Sequence, residues 1–249
     1  MIANKDSLKL AYSLKVEGII WKIILDEAQD IMVWECRKAD KSITFYAYDF
    51  INKQLLLDAY AFPPDWQLNI HTVHQGILYF TGLESEFSPV QKGIVAMDLS
   101  TKATVWQNFS VGLQAFTNEG IIAYDARLLP RKFVLLNAQT GVLLQNIETK
   151  DINNFTYLGN DILLPKMLQG SAILDTRYVL NYHNLTITSF FEPNNNAYKQ
   201  LIEVQKNGQL LLQEIMNSEI QKLSFDTFFV WHNRLVYLKN KSEIVTYFV

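Results

Sequence analysis

A short apolar burst behind a turn residue recurs along the chain at nearly constant spacing. It reads Asp30-Ile31-Met32-Val33-Trp34, then Gly76-Ile77-Leu78-Tyr79-Phe80, then Gly120-Ile121-Ile122-Ala123-Tyr124. It returns as Asp161-Ile162-Leu163-Leu164 and as Arg234-Leu235-Val236-Tyr237-Leu238. The bursts begin at 31, 77, 121, 162 and 235, so the steps are 46, 44, 41 and 73 residues. Bursts of this length read as buried strands, and steps of about 40–50 residues suit a four-stranded propeller blade. Between bursts lies a repeated hairpin: an apolar run, a polar turn and a second β-rich run. It is clearest at residues 93–109 and recurs at 132–147 and 44–60.

Together these landmarks predict an all-β chain, a β-propeller of five four-stranded blades, with six left open. The first blade takes strands at 21–26, 31–36, 43–49 and 54–61. The second takes 67–73, 77–81, 93–98 and 104–109. The third takes 113–117, 121–124, 132–137 and 142–147. A fourth begins at 154–158 and 162–165 and ends in the hairpin 199–205 and 209–215, whose Asn207-Gly208 turn tolerates positive φ at both residues. The last has 223–230, 235–238 and 243–249, one strand short. Residues 8–16 alternate apolar and polar and belong to no other blade, so they are expected to close the ring beside the C-terminal strand and remove its open edge. The 73-residue step is read as an insertion at about 168–197 within a single domain spanning 1–249. A short helix is expected near 214–223.

Composition sets the remaining bounds. Hydrophobic residues make up 49% of the chain, ample for a packed core. The formal charge of −3 comes without a basic cluster, which argues against nucleic acid and anionic lipid as partners. No apolar stretch reaches the length of a membrane span. The first residues lack an apolar leader core, and Cys36 is the one cysteine, so the expected location is the cytoplasm.

The hairpin resembles the quinoprotein-type propeller repeat, whose pattern is Asp, Thr at +3, Gly at +4 and Trp at +8. Asp98, Thr101 and Trp106 match, and Lys102 stands in place of Gly. Thr140 and Gly141 match after Asn137, with Gln145 at the Trp place; after Asp49 come Asn52, Lys53 and Leu57. In that family the pattern makes the turn and docks an aromatic between blades. The WD-repeat signature is absent, since Asp65-Trp66 runs in the reverse order. The chain as a whole also resembles an uncharacterised bacterial family of propeller-like proteins. These resemblances imply a fold and no activity, and no cofactor is predicted.

Few residues point to chemistry. His71 and His74 sit on one strand, where they face opposite ways and cannot grip one metal. Asp26, Glu27 and Asp30 read as a turn. Cys36 has no base beside it, because Glu35 and Arg37 take the other face of their strand. No metal site and no catalytic residues are predicted. The long connections 83–92 and 168–196, with the stretch 62–66, are expected on one rim as a binding surface. Trp66, Phe87, Arg127, Arg131, Tyr178 and His183 are its candidates. Lys22, Asn69, His71, Gln114, Thr156 and Asp226 fall on innermost strands and are candidates to line the channel. The expectation is a non-catalytic binding or scaffold module for a protein or small ligand. The alternative is a small propeller enzyme, a hydrolase or lyase on a sugar or lactone, with its site at the channel mouth.

Overall fold

The structure, a computed structural model, describes residues 7–63, 68–85, 88–125, 127–221 and 227–249. It is all-β, with five antiparallel sheets among the described residues, three of four strands and two of five. The chain divides into two compact units, one of residues 1–19 and 161–249, the other of residues 20–160.

The strand β1 (Leu10–Lys15) belongs to the first unit, and the second unit follows it with three consecutive meanders. The first meander is β2 (Ile19–Asp26), β3 (Ile31–Arg37), β4 (Ile43–Asp49) and β5 (Gln54–Tyr60). The second is β6 (Leu68–His74), β7 (Ile77–Ser85), β8 (Ser88–Asp98) and β9 (Thr104–Asn108). The third is β10 (Gly112–Thr117), β11 (Gly120–Tyr124), β12 (Phe133–Leu136) and β13 (Leu143–Ile147). These are the strands expected from the bursts, within a few residues at each end.

The central strands of the second meander are continuous apolar runs because both of their faces are covered. On β7, Leu78 and Phe80 join Val33, Phe45, Ala47 and Leu57 of the first meander in one buried cluster. Tyr79, between them, joins Phe116, Ile121 and Ala123 of the third. On β8, Val95 and Met97 go one way and Ile94 and Ala96 the other. The period of two thus survives, hidden in a run without polar residues. The far face of the third meander, Ile122, Phe133, Leu135 and Ile147, is covered by Ile152 and Phe155.

The turns explain the degenerate hairpin pattern. The Asp98 carboxylate accepts from the backbone N–H of Ser100 and Thr101 at 2.9 and 2.7 Å. The Asn137 side chain does the same for Thr140, and Asp49 for Asn52. The next residue takes left-handed φ in all three turns: +61° at Lys102, +68° at Gly141 and +54° at Lys53. The place where Gly is favoured keeps its backbone shape even where Lys occupies it. Trp106 reaches the neighbouring sheet, donating from Nε1 to the carbonyl of Ala138 at 2.7 Å. A Cβ on Gly141 would lie 2.6 Å from its ring, so that glycine makes room for the indole.

The other unit holds two five-stranded sheets. One is β15 (Lys166–Leu168), β16 (Arg177–Tyr182), β17 (Leu185–Asn194), β18 (Ala197–Lys206) and β19 (Gln209–Ile220), in that order. The second runs β1, β22 (Glu243–Phe248), β21 (Arg234–Lys239), β20 (Phe228–Trp231) and β14 (Ile162–Leu163). The first strand of the chain therefore pairs antiparallel with the last, Leu10 opposite Tyr247 and Lys15 opposite Glu243, as its alternation suggested. Ile187, Ile202 and Val204 of one sheet pack with Val230, Leu235 and Tyr237 of the other.

Four expectations are corrected. The supposed insertion at about 168–197 supplies β16 and β17, paired throughout from Arg177 opposite Phe190 to Tyr182 opposite Leu185. The helix expected near 214–223 is strand as far as Ile220. Pairing of β18 with β19 shifts register three times, and such bulges break the alternation that would otherwise have marked a strand. Residues 154–158 form no blade strand: Tyr157 bridges to Thr117 beside β10, and Ile162–Leu163 adds to β20 instead. The connection 83–92 is an extension of the β7–β8 hairpin, with Leu83 opposite Gln91 and Ser85 opposite Ser88. Among the described residues no helix is long and apolar enough to cross a membrane.

Candidate functional site

A polar group forms where the first two meanders face each other. Glu35, on β3, is fully buried, at 0% exposure. Its Oε1 accepts from Arg37 Nε at 2.8 Å, and its Oε2 accepts from the backbone N–H of Ile70 at 3.1 Å. Arg37 also donates from Nη2 to Asn69 Oδ1 at 3.0 Å. Lys22, on β2, donates from Nζ to the carbonyls of Ile70 and His71 at 2.8 and 3.2 Å. Burial of the ammonium lowers the Lys22 pKa, and the Glu35 carboxylate offsets part of that. The Arg37 guanidinium lies over the Trp21 ring, 4.3 Å from its centroid, while Trp21 remains 62% exposed.

Strand alternation puts Glu35 and Arg37 on one face of β3, and Cys36 on the other. The Cys36 thiol is pushed up to about 12, by burial first and by the Glu35 charge second, so it stays protonated and inert. His71 is pushed down to about 4, by burial and then by Lys22, and is neutral at physiological pH. With Lys22 and Arg37 positive and Glu35 negative, the group carries one net positive charge.

Backbone irregularity sets two of the expected channel residues. On β6, Ile70 pairs with Phe80 and Thr72 with Tyr79, which leaves His71 as the extra residue of a bulge. On β10, Leu113 pairs with Ala123 and Ala115 with Ile122, which leaves Gln114 in the same situation. Each lies three residues before the last paired residue of its strand. Bulges re-aim side chains, so equivalent points on the first strands of two meanders present a polar group. The two histidines have different surroundings: the His71 ring feels the Lys22 charge, whereas the His74 ring meets Phe116 at 5.9 Å.

Lys22, Asn69 and His71 are therefore brought into one network, and Gln114 is exposed on its own bulge. Thr156 is exposed, and its carbonyl accepts from Asn118 N–H at 2.9 Å. Asp226, Trp66 and Phe87 lie outside the described residues. The remaining rim candidates divide between the two units, Arg127 and Arg131 in one and Tyr178 and His183 in the other. Arg127 is clamped by Asp125, with Nε to Oδ1 at 2.9 Å and Nη2 to Oδ2 at 2.6 Å. Arg131 stacks on Tyr124, 4.2 Å from the ring centroid. Tyr178, at 4% exposure, packs in the core of the other unit and does not face solvent. His183 holds the β16–β17 turn with φ of +53°.

Sequence reasoning passed over Glu35, Arg37 and Trp21. The signal it held was the charged pair flanking Cys36 inside an otherwise apolar strand. The acidic turn resolves as read: Asp26 accepts from Ala28 and Gln29 N–H at 3.0 and 3.3 Å. It also accepts from Gly76 N–H at 2.7 Å, which staples the first meander to the second. Among the described residues no three His, Cys, Asp or Glu side chains gather as metal ligands would.

Against known proteins, the profile of a family described as a domain of unknown function, DUF4905, matches residues 25–106. That stretch contains Glu35, Arg37, Asn69 and His71. No curated protein matches the chain. Among solved structures, the Bacteroides ovatus xyloglucan PUL GH43B is similar at 12% identity and a TM-score of 0.31, covering 79% of this chain and 41% of that one. BBS1N in complex with ARL6DN is similar at 7% identity and a TM-score of 0.29, covering 91% and 64%. MPT-4, a mannose phosphorylase from Leishmania mexicana, is similar at 8% and 0.29, covering 97% and 89%. This chain thus spans less than two thirds of the first two, and likenesses this distant assign it no activity.

Proposed function

We propose that this protein is a non-catalytic binding module that holds a small ligand at the Trp21–Lys22–Arg37 group. Its five sheets are taken as the blades of one propeller, closed where β1 meets β22. The observation that carries the reading is the buried Glu35 carboxylate, which locks Arg37 behind an exposed indole. A half-buried ion pair adds little to stability, so in this reading the Glu35–Arg37 pair is kept to position the guanidinium. Pre-organised polar groups beside an exposed aromatic are what a binding site needs.

The enzyme alternative finds less support. Both Glu35 oxygens already accept hydrogen bonds, so the carboxylate is poorly placed as a general base. A histidine held near pKa 4 is a weak base as well. The test is ligand-observed NMR with a set of acidic, neutral and basic small molecules. Binders that lose their signal with Arg37→Ala and are recovered chemically unchanged are the expected result. Binders indifferent to Arg37→Ala, or consumed on incubation, would overturn the reading.

A further inference from the structure

We infer that the ligand of this site is a ring-bearing carboxylate, its flat body on the Trp21 indole and its anionic group toward Arg37 and Lys22; this rests on the binding reading above. Three observations converge on that chemistry. The first is the aromatic surface. Trp21 is 62% exposed on an innermost strand, with Arg37 against its ring. A large exposed indole held in place offers stacking area at little entropic cost.

The second is the sign of the charge. The guanidinium already satisfies the attraction of the indole for a cation, so a second cation gains little there. The group is net positive in a chain of net charge −3, which makes it a local exception that favours an anion.

The third is geometry. Nε of Arg37 is tied to Glu35 and Nη2 to Asn69, and among the described residues no acceptor is placed on Nη1. A guanidinium fixed on one side and open on another presents directional donors to a carboxylate. Two bonds from the Lys22 ammonium go to carbonyls, and an ammonium has three donors. A neighbouring anion would add to the counter-charge that Glu35 already supplies.

Two sources share this chemistry, an acidic sugar and an aromatic acid, and glucuronate and benzoate represent them. Glucose supplies the ring without the charge, and acetate the charge without the ring. The readout is the indole N–H region of a ¹⁵N-labelled sample, in which the signal of Trp21 is the one lost in Trp21→Phe. The expected result is a saturable shift of that signal with glucuronate or benzoate, and at least tenfold weaker effects of glucose and acetate. Arg37→Gln should weaken the acid at least tenfold and bring it level with its uncharged counterpart. Shifts from glucose equal to those from glucuronate, or acid binding that survives Arg37→Gln, would overturn the inference while leaving a binding site in place. No shift of Trp21 with any of the four probes would overturn it outright. Neutral or basic binders that still depend on Arg37 would then keep the broader reading alive.

Discussion

Replacing Glu35 by Gln removes one charge from a fully buried side chain and turns one of its two acceptor positions into a donor. If the amide oxygen stays with the Ile70 N–H, the new NH₂ faces Arg37 Nε–H, donor against donor. If the amide flips, the Ile70 N–H loses its acceptor. Either way one donor goes unsatisfied, at a cost of about 1–3 kcal/mol. The bond that survives drops from charge-assisted to neutral strength, a loss of about 1 kcal/mol. The Arg37 side chain is 37% exposed, so water recovers part of this. The expected loss is about 3 kcal/mol, or a melting point lower by roughly 6–12 °C for a chain of this size. Urea unfolding followed by circular dichroism measures it through the midpoint. Adding Arg37→Met to the Glu35→Gln background should cost far less than Arg37→Met alone, because the two share one interaction. A Glu35→Gln variant within about 0.5 kcal/mol of the parent would refute the claim that the carboxylate organises this joint.

The His71 environment predicts a pH dependence. Its folded pKa of about 4 lies below the ordinary value, so the unfolded chain takes up a proton that the folded one refuses. Stability is full above about pH 6.5 and falls as pH drops toward 4, by about 3 kcal/mol at most, and His71→Gln should remove that slope in urea titrations. A parent and variant with parallel curves would contradict it. Gly141→Ala should lose about 2–3 kcal/mol, since it strains a left-handed residue and drives a methyl into the Trp106 ring. Lys102→Gly should gain up to about 1 kcal/mol at the equivalent turn; a loss there would mean that Lys102 packs usefully. Deleting residues 7–16 uncovers the edge of β22, and sedimentation should then show self-association. A truncated chain that stays monomeric and folded would argue against an essential role for β1.

Local chemistry was legible in proportion to how little it needed from afar. The bursts at Ile31, Ile77 and Ile121 are strands because runs of β-branched and aromatic residues fit only a sheet buried on both faces. The turns at Asp49, Asp98 and Asn137 were legible because each is a contact between residues two or three apart. The pairing of β1 with β22 was found only by elimination, one strand missing and one strand unplaced. Of the channel candidates, Lys22, Asn69 and His71 come together, but the residue that joins them was missed. Nothing local links Glu35 to Ile70, thirty-five positions on, and its burial depends on a second sheet covering it. Residues 83–92 and 168–196 are polar enough to read as loops, yet Leu83 pairs with Gln91 and residues 177–182 pair with 185–190 as hairpins.

By itself, then, the order of residues settled the strand class, the spacing of the meanders and the turn chemistry, because these follow from side-chain shape and from hydrogen bonds a few residues long. Tertiary structure alone decided which edges the short strands β14 and β15 join, where register slips, and that His71 and Gln114 become bulge residues. It also decided that one glutamate is buried and tied to an arginine that lies over a tryptophan. Those outcomes depend on surfaces meeting across tens of residues, and a pattern read along one strand carries no record of what will lie against its face.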